Sequence, residues 1–320
     1  MVCRSLAEII MNNKGTSCTQ PSAKEHYQQR KASCLSQRLF FCCFKRELFS
    51  FFIACILGMV VLLQNGNAQV SRDTAAIPDT WVDDSTHYSI IRLSRREGTN
   101  TSFYFHNNPF IHSRDGKTDW MLYYGSTEMG RQLFVVDLST KRSTQLTYQH
   151  LPMIGEIVAR KHREAIYQCG DTIFATHLDT RLTRVLFVFP DTAHGTITTI
   201  NADETLLAGT FTSGDAEQAI MKQYPLKSQF FRRIFEAHIP HFLFTIDLQS
   251  NCLKVVHQEN DWTNHVQFSP TDPYCLMYCH EGPWEKVDRI WTMDVRDGSH
   301  RLMHQRTMEN EIAGHEFLVP

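Results

Sequence analysis

The sequence predicts an all-β fold of the β-propeller class, and three observations predict it. A unit recurs along the chain, made of a turn cluster, an apolar strand, a loop and a second strand that closes on an aspartate or similar residue. The closing residues Asp137, His177, Asp247 and Asp294 follow one another at intervals of 40, 70 and 47 residues. Spacings of about 40–50 residues, each holding several short strands, are the signature of propeller blades. The closing strands also echo one another in register, as Leu133-Phe-Val-Val-Asp-Leu, Ile173-Phe-Ala-Thr-His-Leu, Leu243-Phe-Thr-Ile-Asp-Leu and Ile290-Trp-Thr-Met-Asp-Val. A β-sandwich with irregular strands is the competing architecture, and the echoes argue against it.

Residues 1–44 are polar, turn-rich and without period, and are read as an extension outside the fold. Lys45-Arg46, the apolar run Leu48 to Leu63 and the small residues up to Gln69 follow the grammar of a secretory signal. The run has 16 residues, short of the roughly 20 of a membrane span. Residues 45–69 are therefore read as a signal peptide, with an uncleaved membrane anchor as the alternative. Residues 70–84 read as a linker and 85–320 as the propeller. Its strand pairs start at Trp120 and Leu133, Ala165 and Ile173, Leu206 and Leu243, and Tyr274 and Ile290. The longest interval holds an insertion, Gly214 to His241, in which Gln229-Phe-Phe-Arg-Arg-Ile-Phe-Glu236 reads as a short helix packed on one face.

The chain carries 42% apolar residues, ample for a core, and a formal net charge of -2. Nothing in that balance points to a nucleic-acid partner, and an anionic substrate would need local basic residues. Sixteen histidines are too many to be informative except through their neighbours. Of ten cysteines, Cys169, Cys252, Cys275 and Cys279 fall in the globular part. The last two lie roughly 13 Å apart along one strand, too far to bridge. With no zinc spacing present, all four read as small buried hydrophobes.

The most informative stretch is Asn264 to Trp291. Ser269 to Pro273 is a turn cluster, Tyr274 to Cys279 an apolar strand, and His280 stands where that strand meets a loop running to Asp288. A strand-end imidazole satisfied by backbone is the plain reading. His280-Glu-Gly-Pro, Val287-Asp-Arg-Ile-Trp291 and Gly314-His-Glu-Phe317 together resemble the oligogalacturonide lyases of pectin breakdown, from about Phe103 to Phe317. The resemblance implies a seven-bladed propeller, a divalent metal (usually manganese) and an oligogalacturonide substrate. It implies His280 as catalytic base. Arg289 is a catalytic candidate because a guanidinium fork pairs with a carboxylate bidentately, though a salt bridge from Arg289 to Asp288 or Glu285 is at least as good a reading. The resemblance implies His315 as a metal ligand. His265, before a strand and one turn cluster upstream, is read from its position as a pocket-lining, substrate-binding residue, with a structural role as the alternative. Four units and a strand in the 80s–90s do not close seven blades. The remaining ligands, a glutamine and a His-Pro-His, are thus expected beyond Pro320, and no His-Pro-His occurs in this sequence.

The chemistry suits these residue types. Elimination from a uronic acid needs a base for the proton next to the carboxylate, and a cation to offset the charge that develops. A neutral imidazole serves as the base. A hydrolase would want a spaced pair of carboxylates, and none stands out. A non-catalytic propeller that binds sugars or partners, or a lyase inactive for want of its ligands, is the alternative function. Export to the periplasm or medium follows from the signal reading. Fractionation is expected to find a processed protein outside the cytosol, and full-length cytosolic protein would overturn it.

Overall fold

The apolar runs of the repeats form strands because β-branched and aromatic residues suit a pleated surface buried on both faces. The computed structural model describes residues 77–190 and 193–320. A hairpin of β1 (Thr80–Val82) and β2 (Ser89–Ile91) comes first. In the first large sheet β3 (Asn100–Thr101) and β4 (Phe110–His112) both pair with β5 (Asp119–Thr127), which is followed by β6 (Gly130–Asp137) and β7 (Ser143–Gln145). Three four-stranded sheets follow, each in sequential antiparallel order. They are β8 (Met153–Ala159), β9 (Glu164–Cys169), β10 (Thr172–His177) and β11 (Thr183–Val188); β12 (Thr196–Ile200), β13 (Leu206–Thr212), β14 (His241–Asp247) and β15 (Cys252–Glu259); and β16 (Thr263–Phe268), β17 (Cys275–His280), β18 (Ile290–Asp294) and β19 (His300–Leu302). These are propeller blades, as the repeats predict. The hairpin begins inside the stretch read as a linker, because Asp79 is held there by Arg92 at 2.8 Å and Arg95 at 3.3 Å. The signal-like run lies outside the described residues.

The core sits between blades. Leu122, Tyr124 and Leu133 of the first blade pack with Ala165 and Tyr167 of the second. Ile166 and Ile173 pack with Leu207, Phe242 and Phe244 of the third, and Ala208 and Leu243 with Leu276, Tyr278 and Met293 of the fourth. Each middle strand is covered on both sides, which is why it reads as a continuous apolar run. Cys169 and Cys279 are buried free thiols and Cys275 a half-buried one, in keeping with their reading as small hydrophobes.

The aligned closing residues share one turn. Asp137 Oδ1 accepts from the N–H groups of Ser139 and Thr140, both at 2.9 Å, and Asp247 Oδ1 from those of Gln249 and Ser250. In the second blade His177 does the same through Nδ1, accepting from Asp179 and Thr180 at 3.2 Å. The fourth residue on, Lys141, Arg181, Asn251 or Gly298, is left-handed in every blade (φ 59, 64, 54 and 76).

Two features position the site. The insertion forms α1 (Ala216–Gln223) and α2 (Lys227–Glu236), one helix more than expected. Phe231 of α2 packs edge-on against Trp262, with ring centres 5.1 Å apart. The first strands β8, β12 and β16 each carry a β-bulge, between Ile154 and Ile157, Ile197 and Thr199, and Asn264 and Gln267. These strands lie next to one another across the blades.

Gly209 of β13 marks where a first strand presses closest on its neighbour. A Cβ there would fall inside the van der Waals shell of the Thr196 carbonyl oxygen. Gly209→Ala should therefore cost about 1–3 kcal/mol, the usual overpacking penalty. Denaturant unfolding checks it, and an unchanged midpoint would contradict the close approach.

Candidate active site

Antiparallel pairing brings several strand ends to one edge of the fold. Thr263, opening β16, pairs with His280, closing β17, and Glu259, closing β15, pairs with His241, opening β14. His280 is mostly buried and its Nε2 lies 2.9 Å from Glu259 Oε1. Its ring packs on Trp291, centres 5.2 Å apart. His257 Nε2 approaches the other Glu259 oxygen at 3.2 Å without an aligned hydrogen bond. Burial favours the neutral acid, but the two imidazoles outweigh it and hold the Glu259 carboxyl down to about 2. An ionised Glu259 can only accept. His280 Nε2 must then carry the proton it donates, which leaves Nδ1 with a bare lone pair. Asp261, two residues on and exposed, completes a group with Glu259 and His280 whose ligand atoms all lie within 4.8 Å of one another. A cavity of about 330 Å³ opens beside His280, Asp261, Lys286 and Trp291.

A second cluster joins the two motif segments. Arg289, 4% exposed, donates from Nη1 to Glu281 Oε1 at 3.0 Å and from Nε and Nη2 to the two oxygens of Glu316 at 3.1 and 3.2 Å. Trp284 Nε1 donates to Glu281 at 3.0 Å and the Cys279 thiol to Glu316 at 2.6 Å. Burial raises the Glu281 carboxyl, but His265 and Arg289 outweigh it and bring it down to about 2. Burial and the neighbouring Glu316 together push the Cys279 thiol far up, so it stays protonated and donates.

The structure gives the expected site residues distinct places. His280 lines the cavity with its Nδ1 available. Arg289 is not paired with Asp288 or Glu285; strand alternation turns it inward to Glu281 and Glu316, while Asp288 takes Arg306 at 3.0 Å. Three of its five N–H groups are engaged in this cluster, and only 4% of the side chain is exposed. His265 sits at the bulge of β16 with φ 51, its Nε2 is 3.1 Å from Glu281, and its ring lies beside Tyr104. His315 is exposed, with its ring edge-on to Phe105 at 5.3 Å. No group of three ligands among the described residues includes it. Sequence reasoning passed over Glu259, Asp261 and His257. The signal was there: residues 257 and 259 alternate onto one face of a strand that stops just before the next blade.

Comparison with known proteins gives one consistent result. A family model described as oligogalacturonate lyase matches residues 72–320. The chain is 25% identical over 246 residues to an oligogalacturonide lyase of Pectobacterium atrosepticum, and 26% identical to an oligogalacturonate lyase of Dickeya dadantii. In both cases 75% of this chain and 61% of the relative are covered, so the chain spans about 61% of the length of these relatives. Among solved structures, an oligogalacturonate lyase in complex with manganese is similar at TM-score 0.61 and 25% identity, over 72% of this chain and 61% of that one. An oligogalacturonate lyase from Vibrio parahaemolyticus is similar in fold at TM-score 0.60 and 24% identity, over 71% and 59%.

The carboxylates set the acid limit of the fold. Unfolded glutamates titrate near 4.5, and folded Glu281 and Glu259 near 2. A depressed folded pKa stabilises above the unfolded value, so this stability is complete above pH 4.5 and is lost as pH falls toward 2. Denaturant midpoints should be level from pH 7 to 5 and drop below that. Glu316→Ala, which half-strips a buried guanidinium, should cost about 3 kcal/mol at neutral pH. Equal stability at pH 3 and pH 6 would sink this account.

Proposed function

The chain belongs to the oligogalacturonate lyase family, and from that premise we propose that it cleaves short, unsaturated galacturonides by β-elimination. The reaction takes the C5 proton next to the carboxylate, breaks the bond from C4 to the leaving oxygen, and leaves a double bond between C4 and C5. The observation that carries the reading is His280 itself, which lines a cavity with Nε2 committed to ionised Glu259 and Nδ1 without a hydrogen-bond partner among the described residues. In this reading Nδ1 receives the C5 proton and Glu259 pairs with the imidazolium that results. That is the orienting role a carboxylate plays behind a histidine base. Arg289 acts indirectly: its backbone carbonyl accepts from His280 N–H at 2.9 Å, and its side chain fixes Glu281. His265, held on Glu281, borders the substrate.

A divalent ion, with manganese as the ion named for the solved relative, would neutralise the uronate carboxylate as charge builds at C5. His315 is the proposed ligand from the motif. The nitrogen and two carboxylates of Glu259, Asp261 and His280 are a second donor set that suits a manganese-type ion. The two placements exclude each other for the base, since an imidazole bound to metal cannot also take the proton.

The test is the rise in ultraviolet absorbance of the unsaturated product on digalacturonate with manganese present. His280→Ala should lower kcat by about 10²–10⁴-fold, the share of a general base, and Glu259→Gln should follow it by allowing the wrong tautomer. Manganese-dependent activity that His280→Ala leaves unchanged would overturn the assignment of His280 as base. Manganese binding that survives His280→Ala and fails in His315→Ala supports His315 as ligand, and the reverse places the ion on Glu259 and Asp261.

A further inference from the structure

The α1–α2 insertion leaves the third blade and reaches the fourth. Phe231 stacks edge-on against Trp262 and faces Trp284, and Phe235 forms part of the wall of the cavity beside His280. Gly282 lets it settle there. Its φ is +150, and a Cβ at that position would stand 2.5 Å from Phe235 Cδ2. The cavity is thus lined by α2 from one blade and by the loop and β18 of the next, with the aromatic side chains Phe235 and Trp291 among its walls.

The charges around it are mostly spent. Arg306 is held by Asp288 at 3.0 Å, Glu281 by Arg289 at 3.0 Å, and His280 by Glu259 at 2.9 Å. Lys286 is exposed, lines the same cavity, and has no ion-pair partner among the described residues. An exposed lysine is ordinarily just a solvated charge. Here it lines one hollow together with Phe235, Trp291 and the exposed carboxylate of Asp261. A cation for a carboxylate, an anion to accept from hydroxyls, and aromatic faces for C–H surfaces are the complementary set for one sugar acid. The volume, about 330 Å³, lies at the low end of the ~300–1,000 Å³ of ligand pockets, room for a short saccharide.

We infer that this cavity is a uronate subsite in which Lys286 pairs with a sugar carboxylate between Phe235 and Trp291. The inference rests on the lyase reading, since it names where one acidic unit of that substrate sits. It makes Lys286 and the insertion determinants of specificity for acidic over neutral sugars.

Binding of digalacturonate and of neutral digalactose to the 320-residue chain, followed by calorimetry and saturation-transfer NMR, tests it. Lys286→Gln should weaken digalacturonate roughly tenfold, as the loss of a charge-assisted contact does, and leave digalactose unchanged. Lys286→Arg should restore most of the affinity, and Phe235→Ala should weaken both sugars alike. If the unaltered chain binds digalacturonate and Lys286→Gln binds it equally well, this inference falls and the lyase reading stands. If the unaltered chain binds no galacturonide, both fall together.

Discussion

A guanidinium buried between two carboxylates is the constraint on which the site depends. Removing Arg289 from water costs several kcal/mol, which is recovered only if oxygens meet its donors in good geometry. Glu281, from the loop after β17, and Glu316, near the end of the chain, are the oxygens that do so. The remaining lone pairs are taken by Trp284, His265 and the Cys279 thiol. The loop after β17 and a segment 27 residues beyond Arg289 are therefore fixed by one electrostatic requirement. The imidazole of His280 inherits that fixity through its own backbone bond to Arg289.

Much of the fold was legible because blade packing imposes itself on sequence. The middle strands of each blade are covered on both faces, so Tyr123–Tyr124, Ile166–Tyr167 and Leu243–Phe244 appear as apolar runs whatever the rest of the blade does. The turn after the third strand was legible too, since an acceptor must cap two N–H groups at a fixed place. His177 fell into register with three aspartates because a ring nitrogen can accept as a carboxylate does. The first and last strands were not legible. Thr196–Ile200 and Thr263–Phe268 mix polar and apolar residues, and their bulges break the period of two on which recognition depends.

The site was legible in part, for a related reason. His280, Arg289 and His315 stand in motifs, but a motif fixes residue types and not pairings. Arg289 was open to several acids in sequence, and burial selected Glu281 and Glu316 over its adjacent Asp288. Glu259 belongs to the neighbouring blade, 21 residues before His280. Only tertiary structure brings it behind the imidazole, and with it the tautomer that frees Nδ1.

The bulges in the first strands carry a consequence for how such a protein changes over time. A bulge sets two residues against one, so the strand keeps its pleat before and after while the extra residue is turned aside. Gly155 in the second blade and His265 in the fourth hold matching bulge positions, both left-handed, one without a side chain and the other bearing an imidazole. A Cβ at Gly155 would stand 3.0 Å from Ile197 of the next blade, so packing holds that position to glycine, while the fourth blade has room for the His265 side chain. The same bulge thus serves packing in one blade and carries an imidazole in another, and what it can carry is set by the neighbouring first strand.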